Sequence, residues 1–175
     1  KFAPYDALTR GQLAKIIIEA QLFKQQMEQL EVAYDYLSKR YIMTFQTNEQ
    51  WVKETIEIIN HYRAEHQVAP LEMDPYLNQL ATIKVNDMIE REYFDHKSPY
   101  YGYAWDLASV YRYEFVSLGE NLAKALTNPQ EATKAWVASD THRENILNNR
   151  YRYTGVAVAK NENGEYYWVQ LFSRK

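Results

Sequence analysis

The chain contains no cysteine among its 175 residues, so disulfide bonds cannot hold its fold. No apolar stretch is long enough to cross a bilayer as a helix, and we therefore expect no membrane span. The formal net charge is −3 and no long basic run occurs, which gives no electrostatic basis for a nucleic-acid partner. With 46% hydrophobic residues, the sequence predicts a globular domain stabilised by a sizeable apolar core.

Glycine and proline are scarce, and neither occurs between Gly11 and Pro70. Because Thr9 and Gln12 fit a capping box, this lack of helix breakers predicts a long helix from about Thr9 to Phe45. The helix could pack its apolar stripe on its own domain, or form a homodimer or a coiled coil with another helical partner. Residues 1–46 are thus predicted to be a separate N-terminal segment. Its stripe has the three- and four-residue spacing of a heptad seam: Leu13, Ile16, Ala20, Phe23, Met27, Leu30, Tyr34, Leu37 and Tyr41.

Residues 47–175 are predicted to form one domain, and its first two elements read as helices. A capping box at Thr47–Gln50 starts a helix that runs to about His66. Asp74 and Pro75 start a second helix, which runs to about Glu92. The buried face of this second helix is expected to hold Leu77, Leu80, Ala81, Val85, Met88 and, through its aliphatic stem alone, Lys84.

The remainder mixes short strands with short helices, an order typical of an α+β fold. The end of the chain reads as a hairpin, because two alternating strands flank a polar loop of about four residues, Asn161–Gly164. The further predicted elements are a short helix near Tyr103–Ser109, a strand over Tyr113–Leu118 that leads into Glu120, a helix from Asn128–Pro129 with Ala132, Ala135 and Trp136 inward, and the hairpin strands Gly155–Lys160 and Glu165–Phe172.

Polar residues able to carry chemistry collect in three segments, each at the end of a predicted element: Phe94–Pro99, Gly119–Ala123 and Ala135–Gly155. Two patterns of hydrolytic enzymes are missing from the sequence. There is no His-Glu-x-x-His pair for zinc and no Gly-x-Ser-x-Gly elbow for a serine nucleophile. The other two histidines, His61 and His66, face different sides of one helix and are interpreted as surface residues.

These three segments resemble those of the CAP superfamily, which comprises cysteine-rich secretory proteins, antigen 5 and plant pathogenesis-related proteins of group 1. The resemblance covers about Asn48 to Ser173 and is greatest to the cysteine-free bacterial branch. It implies a three-layer α-β-α sandwich with a small antiparallel central sheet, a cleft over that sheet, and an extracellular, secreted or cell-wall-associated location. It rests on His96-x-Ser98-Pro99, Gly119-Glu120-Asn121, Trp136, Ser139-x-x-His142-Arg143-x-Asn145-Ile146-Leu147 and Gly155.

In this family, two histidines and two acidic residues line the cleft, and many members bind a divalent ion there. The resemblance therefore implies His96, Glu120 and His142 as ligands for Zn²⁺ or another divalent cation. The second acid has no clean match, although Asp140 or Glu144 could replace it. The alternative is a polar network in which the three side chains satisfy one another without an ion.

The function implied is binding of a metal, a small molecule, a lipid, a glycan, a cell-wall component or a protein in this cleft, with Ser98, Asn121 and Asn145 among the contact residues. The alternative is a metal-dependent hydrolase that uses the same site. Ser98 lies two residues from His96, but a nucleophile needs an oriented base, so Ser98 before Pro99 reads more easily as a residue that shapes the loop. Arg143 and Asn145 are expected to brace the short helix near them.

A second resemblance concerns the start of the chain. Phe2-x-Pro4 and the stretch Leu8–Ile16 are similar to the second half of an S-layer homology motif, in which a Thr-Arg pair opens a helix. Because only half of a motif is present, we interpret it as a clue to origin in a surface protein rather than as a cell-wall binding site.

Overall fold

The structure, a computed structural model, describes residues 17–18, 20–22, 24 and 48–175. The few described residues before residue 48 are helical and exposed, and they include one residue of the predicted seam, Ala20. The rest of the predicted first helix, its seam and the S-layer-like start lie outside the described residues. A coiled coil or dimer formed through residues 1–46 therefore stays a prediction. Backbone contacts divide the chain into two units, residues 1–41 and 42–175.

Five helices and four strands are present in residues 48–175: α1 (Glu49–Glu65), β1 (Glu72–Met73), α2 (Pro75–Glu90), α3 (Ala104–Val110), β2 (Ser117–Lys124), α4 (Pro129–Ala138), α5 (Asp140–Leu147), β3 (Tyr153–Lys160) and β4 (Tyr166–Arg174). Within the described part of the chain, no helix has the length and apolarity needed to cross a bilayer.

Three helices begin at side-chain caps. Asn48, Asp74 and Asn128 each accept a hydrogen bond from a main-chain amide in the first turn of α1, α2 and α4. Such caps satisfy amides that have no partner within the helix. The starts predicted at Asp74 and Asn128 are confirmed, whereas α1 is capped by Asn48 instead of Thr47.

The four strands form a mixed sheet in the order β1-β3-β4-β2. The β3–β4 hairpin and the β2–β4 pair are antiparallel, and the two-residue β1 lies parallel to β3 at one edge. The predicted antiparallel sheet is thus correct for three strands and wrong for the short edge strand. The predicted strand over Tyr113–Leu118 was also misplaced, because pairing with β4 continues β2 through Gly119 and Glu120 to Lys124.

The sheet lies between two helical layers, as predicted. Val156 clusters with Val52 and Ile56 of α1, whereas the neighbouring Gly155 lies against α2. Successive strand residues point to opposite faces, so α1 and α2 cover opposite sides of the sheet. The core on the α1 side also takes in Trp136 of α4 and Ile146 of α5, which cluster with Ile59 of α1 and with the strand residues Val158, Trp168 and Phe172. Ala135, which was predicted to face inward, is exposed.

The contact between α2 and β3 has no room for a side chain at Gly155. A Cβ atom built there would lie 2.2 Å from the carbonyl carbon of Leu77 and 2.4 Å from the nitrogen of Asn78. The Asn78 side chain adds a bond at the same place, because its Oδ1 accepts from the amide of Val156 at 2.8 Å. Glycine is therefore required at residue 155 for the helix to reach the sheet.

We predict that Gly155→Ala lowers the free energy of unfolding by about 3 kcal/mol or more, because backbone atoms on two elements would have to move. Denaturant unfolding measures the loss. Gly164→Ala is the matched control: Gly164 lies exposed in the hairpin with φ of 84°, so its alanine variant should lose only about 1–2 kcal/mol. Equal losses in the two variants would contradict the close contact.

Candidate functional site

Helix α2 carries two charged residues that the fold buries almost completely, Lys84 and Asp87. Lys84 Nζ donates to the carbonyl oxygens of Asp95 at 2.8 Å and His96 at 3.0 Å. The prediction that only its stem is buried is wrong, because these acceptors allow the ammonium group to lie inside as well. Burial lowers the pKa of Lys84, although the negative charge of Glu120 acts in the opposite direction.

Asp87 fixes the loop that follows α2. Its Oδ2 accepts hydrogen bonds from the hydroxyls of Ser98, at 2.7 Å, and Tyr93. Ser98 Oγ in turn accepts from the amides of Tyr100 and Tyr101. The Ser98 hydroxyl therefore shapes the loop and is not held by a histidine base, as the loop-shaping interpretation predicts.

This loop holds His96 against strand β2. Nδ1 of His96 and Oε1 of Glu120 are 2.7 Å apart, although the two residues are separated by 24 positions in the chain. The Glu120 side chain is only 6% exposed, whereas that of His96 is 52% exposed. The hydrogen bond to the Glu120 carboxylate raises the pKa of His96 above its ordinary value. Nδ1 of the imidazole is thus committed to the carboxylate, while 52% of the His96 side chain stays exposed.

The second carboxylate oxygen of Glu120 is buried, and no protein group in the described residues donates a hydrogen bond to it. A buried acceptor without a donor lowers the stability of the folded state, and the loss is larger when the acceptor carries a charge. This oxygen is a polar atom that the fold of residues 48–175 leaves unsatisfied.

Helix α5 is tied to strand β2 by two asparagines. Asn145 Nδ2 donates to the Glu120 carbonyl oxygen at 3.2 Å and to Asn121 Oδ1 at 2.9 Å. Asn121 Nδ2 donates to the main-chain oxygen of His142 at 3.1 Å. Arg143 donates to the carbonyl oxygen of Val137 and so joins α5 to α4. Asn145 and Arg143 thus brace the short helix, as predicted.

His142 is half-buried on α5. Burial lowers its pKa, and the positive charge of His96 lowers it further. The two imidazoles therefore interact electrostatically. Asp140 forms an exposed ion pair with Arg143, and Glu144 is exposed, so neither has been brought to Glu120 as the second acid.

The described residues do not fit the metal site that the family resemblance implies. Among them, no three histidine, cysteine, aspartate or glutamate side chains come together in a way that could hold one ion. Catalytic zinc sites use three protein ligands, whereas Glu120 already accepts from His96 through one oxygen. Zinc or another divalent cation stays a prediction of the family resemblance.

A cavity of about 360 Å³ opens beside the His96–Glu120 pair. Of the predicted site residues, His96, Glu120 and Asn145 line it, while Ser98 and Asn121 are buried in its support. The cavity is also lined by three aromatic residues that the sequence did not point to, namely Tyr103, Trp105 and Tyr151. The excess of tyrosine and the run Tyr100–Trp105 were the available signals.

Arg63 of α1 is a further residue that sequence reasoning missed. It is fully buried, and its guanidinium donates to the carbonyl oxygens of Ala69, Ile146 and Asn148. Burial lowers its pKa to about 10. It fixes the C-terminal end of α5, and so helps to place Asn145 and Tyr151 at the cavity.

We predict that Ser98→Ala lowers the free energy of unfolding by about 1–3 kcal/mol, because the amides of Tyr100 and Tyr101 lose their acceptor. Ser109→Ala, at an exposed helix position, is the control and should change stability by less than about 0.5 kcal/mol. Thermal or denaturant unfolding compares the two. An unaltered stability for Ser98→Ala would remove its assigned role.

We predict that NMR titration shows His96 protonating at a higher pH than His142. Since the folded pKa of His96 is raised, its pairing contributes stability below the unfolded pKa, and this is lost as pH rises through the folded value. For His142 the effect of pH on stability has the opposite sign, because its pKa is lowered in the folded protein. The folded state therefore loses stability as pH falls below the pKa that His142 has in the unfolded chain. Glu120→Gln should lower the pKa of His96. A reversed order of titration would contradict the pairing.

Known proteins share sequence similarity with this chain over most of residues 48–175. The family model of the cysteine-rich secretory protein family (CAP) matches residues 56–172. The protein YkwD of Bacillus subtilis is 37% identical over 123 residues, which cover 70% of this chain and 47% of YkwD. This chain therefore spans less than half the length of that relative.

Two solved structures have the same fold. An extracellular protein with an SCP domain from Bacillus anthracis aligns with a TM-score of 0.68 and 28% identity, over 73% of this chain and 41% of that one. An outer surface protein of Borrelia burgdorferi aligns with a TM-score of 0.68 over 75% of this chain and 96% of its own, and at 21% identity it shows the fold alone. The family match, the sandwich and the three segments agree, and the chain belongs to the cysteine-rich secretory protein (CAP) family.

Proposed function

We propose that this chain is an extracellular bacterial CAP domain that binds a small ligand in the cavity beside His96 and Glu120. The location is supported by the Bacillus anthracis relative, which is an extracellular protein. Binding is proposed as the activity because the described residues form a cavity with polar groups at its wall.

One observation carries the proposal. Glu120 lines the cavity with its side chain 94% buried, and one of its carboxylate oxygens receives no hydrogen bond from the described residues. That carboxylate also holds the half-exposed imidazole of His96 at the cavity, so a ligand can form a hydrogen bond with a ring that is already ordered. The rigid support of Glu120 and Asn145 by β2 and α5 also keeps the ordering cost of binding low.

The alternative is a hydrolase. Its support is the His96–Glu120 pair, since a carboxylate that orients an imidazole is the arrangement of a general base. The nucleophile is the difficulty, because the Ser98 hydroxyl donates to Asp87 in the buried network. A metal-dependent hydrolase stays a prediction of the family resemblance.

Ligand binding is tested by recording amide NMR spectra of the full chain with a library of neutral, cationic and anionic fragments. We expect at least one class to shift the amides of Gly119, Glu120 and Asn145. Glu120→Gln should weaken that binding by roughly tenfold or more, because a carboxylate forms stronger hydrogen bonds than an amide. Glu162→Gln, in the exposed hairpin loop, is the matched control and should leave affinity unchanged.

A second experiment on the same samples distinguishes ligand binding from catalysis. Peptide and ester substrates are incubated with the wild type and with His96→Ala, with and without zinc or a chelator. A turnover that is lost in His96→Ala would replace the binding proposal with the hydrolase. Spectra in which no fragment shifts the cavity amides would remove the binding proposal itself.

A further inference from the structure

We infer that the ligand of this cavity is a saccharide, which stacks a sugar face on Trp105 and forms hydrogen bonds with the polar side chains beside it, among them His96 and Asn145. The inference rests on the proposed function and gives its ligand a chemical class. Three observations lead to it: an exposed aromatic pair at the cavity, polar side chains beside that pair, and a mixture of charges that favours neither a cation nor an anion.

The aromatic pair consists of Tyr103 and Trp105 at the start of α3. Their rings stack with centroids 4.6 Å apart and planes 20° from parallel, and both residues line the cavity. Trp105 is 48% exposed, although tryptophan is usually well buried. Stacking on Tyr103 holds the indole in place, so a ligand meets a preformed surface. The weakly positive C–H groups of a sugar ring suit the negative face of an aromatic ring.

The polar atoms lie where β2 has no side chain. A Cβ atom at Gly119 would be 2.6 Å from the hydroxyl oxygen of Tyr151 and 3.1 Å from Oδ1 of Asn145, so glycine lets both of these polar groups lie directly against strand β2. Together with the half-exposed imidazole of His96, these atoms provide more than one polar partner, including a hydroxyl that can both donate and accept. Neighbouring hydroxyl groups on a rigid ring match such a set better than a single charged group does.

The charges near the cavity are of both signs, so they favour neither a cation nor an anion as the whole ligand. A cation would approach Lys97, whose ammonium lies 5.8 Å from the Tyr103 ring centroid, and the buried Lys84, on which the charge of Glu120 already acts. An anion would meet the Glu120 carboxylate and its oxygen without a donor. A purely apolar ligand would cover the half-exposed His96 imidazole without giving it a hydrogen-bond partner. A neutral molecule with hydroxyl groups satisfies all three conditions.

The experiment titrates the full chain with neutral trisaccharides (chitotriose, cellotriose and maltotriose), with choline and with inorganic phosphate, and follows amide NMR shifts. We expect at least one trisaccharide to give saturable shifts at Trp105, Gly119 and Glu120. Trp105→Ala should weaken this binding by roughly tenfold, the loss expected for a stacked ring. Trp105→Leu keeps apolar bulk without an aromatic face and should show a similar loss, so a folding defect in one variant does not decide the result.

Tyr100→Ala is the matched control. Tyr100 is an aromatic residue, 67% exposed, that packs against Arg91 outside the cavity, and its loss should leave trisaccharide affinity unchanged. Trisaccharide binding that survives both Trp105 substitutions would overturn the inference. So would cavity shifts produced by choline or phosphate and by no trisaccharide, and in that case the proposed binding function would stand. If no probe shifts the cavity amides, the saccharide inference fails, and the fragment library then decides the proposed function separately.

Discussion

The close approach of helix α2 to strand β3 at Gly155 is the contact on which the candidate site depends. With no side chain at residue 155, the backbone of α2 reaches the sheet, and Asn78 bonds to the amide of Val156. The helix then carries Lys84 and Asp87 into the interior beside the loop that follows it. A wider separation would draw both charges away from the groups they hold.

The two buried charged residues, Lys84 and Asp87, support the loop and are assigned no part in ligand binding or catalysis. Lys84 donates to the carbonyl oxygens of Asp95 and His96, and Asp87 accepts from the hydroxyl of Ser98. Helix α2 therefore fixes the loop that follows it. Each charge is tolerated inside because its partners are complete. The site above the loop is different, since the carboxylate of Glu120 is paired on one side only. The domain thus satisfies its supporting polar groups and leaves one unsatisfied at the cavity.

Much of this fold is predictable from local signals. Asp74–Pro75 and Asn128–Pro129 predicted helix starts, and the alternation on both sides of Asn161–Gly164 predicted the hairpin. Strand β2 was harder, because Glu120 and Asn121 are polar residues in a strand whose pairing is set by β4, far along the chain. The parallel edge strand is only two residues long and carries no pattern of its own.

The sequence by itself determined the family segments, the α+β class and the residues that could meet at a cleft. Tertiary structure alone decided which of them meet: His96 with Glu120, Ser98 with Asp87, and Asn145 with Asn121. It also added Trp105 to the cavity and left Asp140 and Glu144 outside it. The physical reason is that capping and periodicity act over a few residues, whereas these hydrogen bonds join positions 11 to 24 residues apart. Their geometry exists only after α2, α5 and the sheet have packed together.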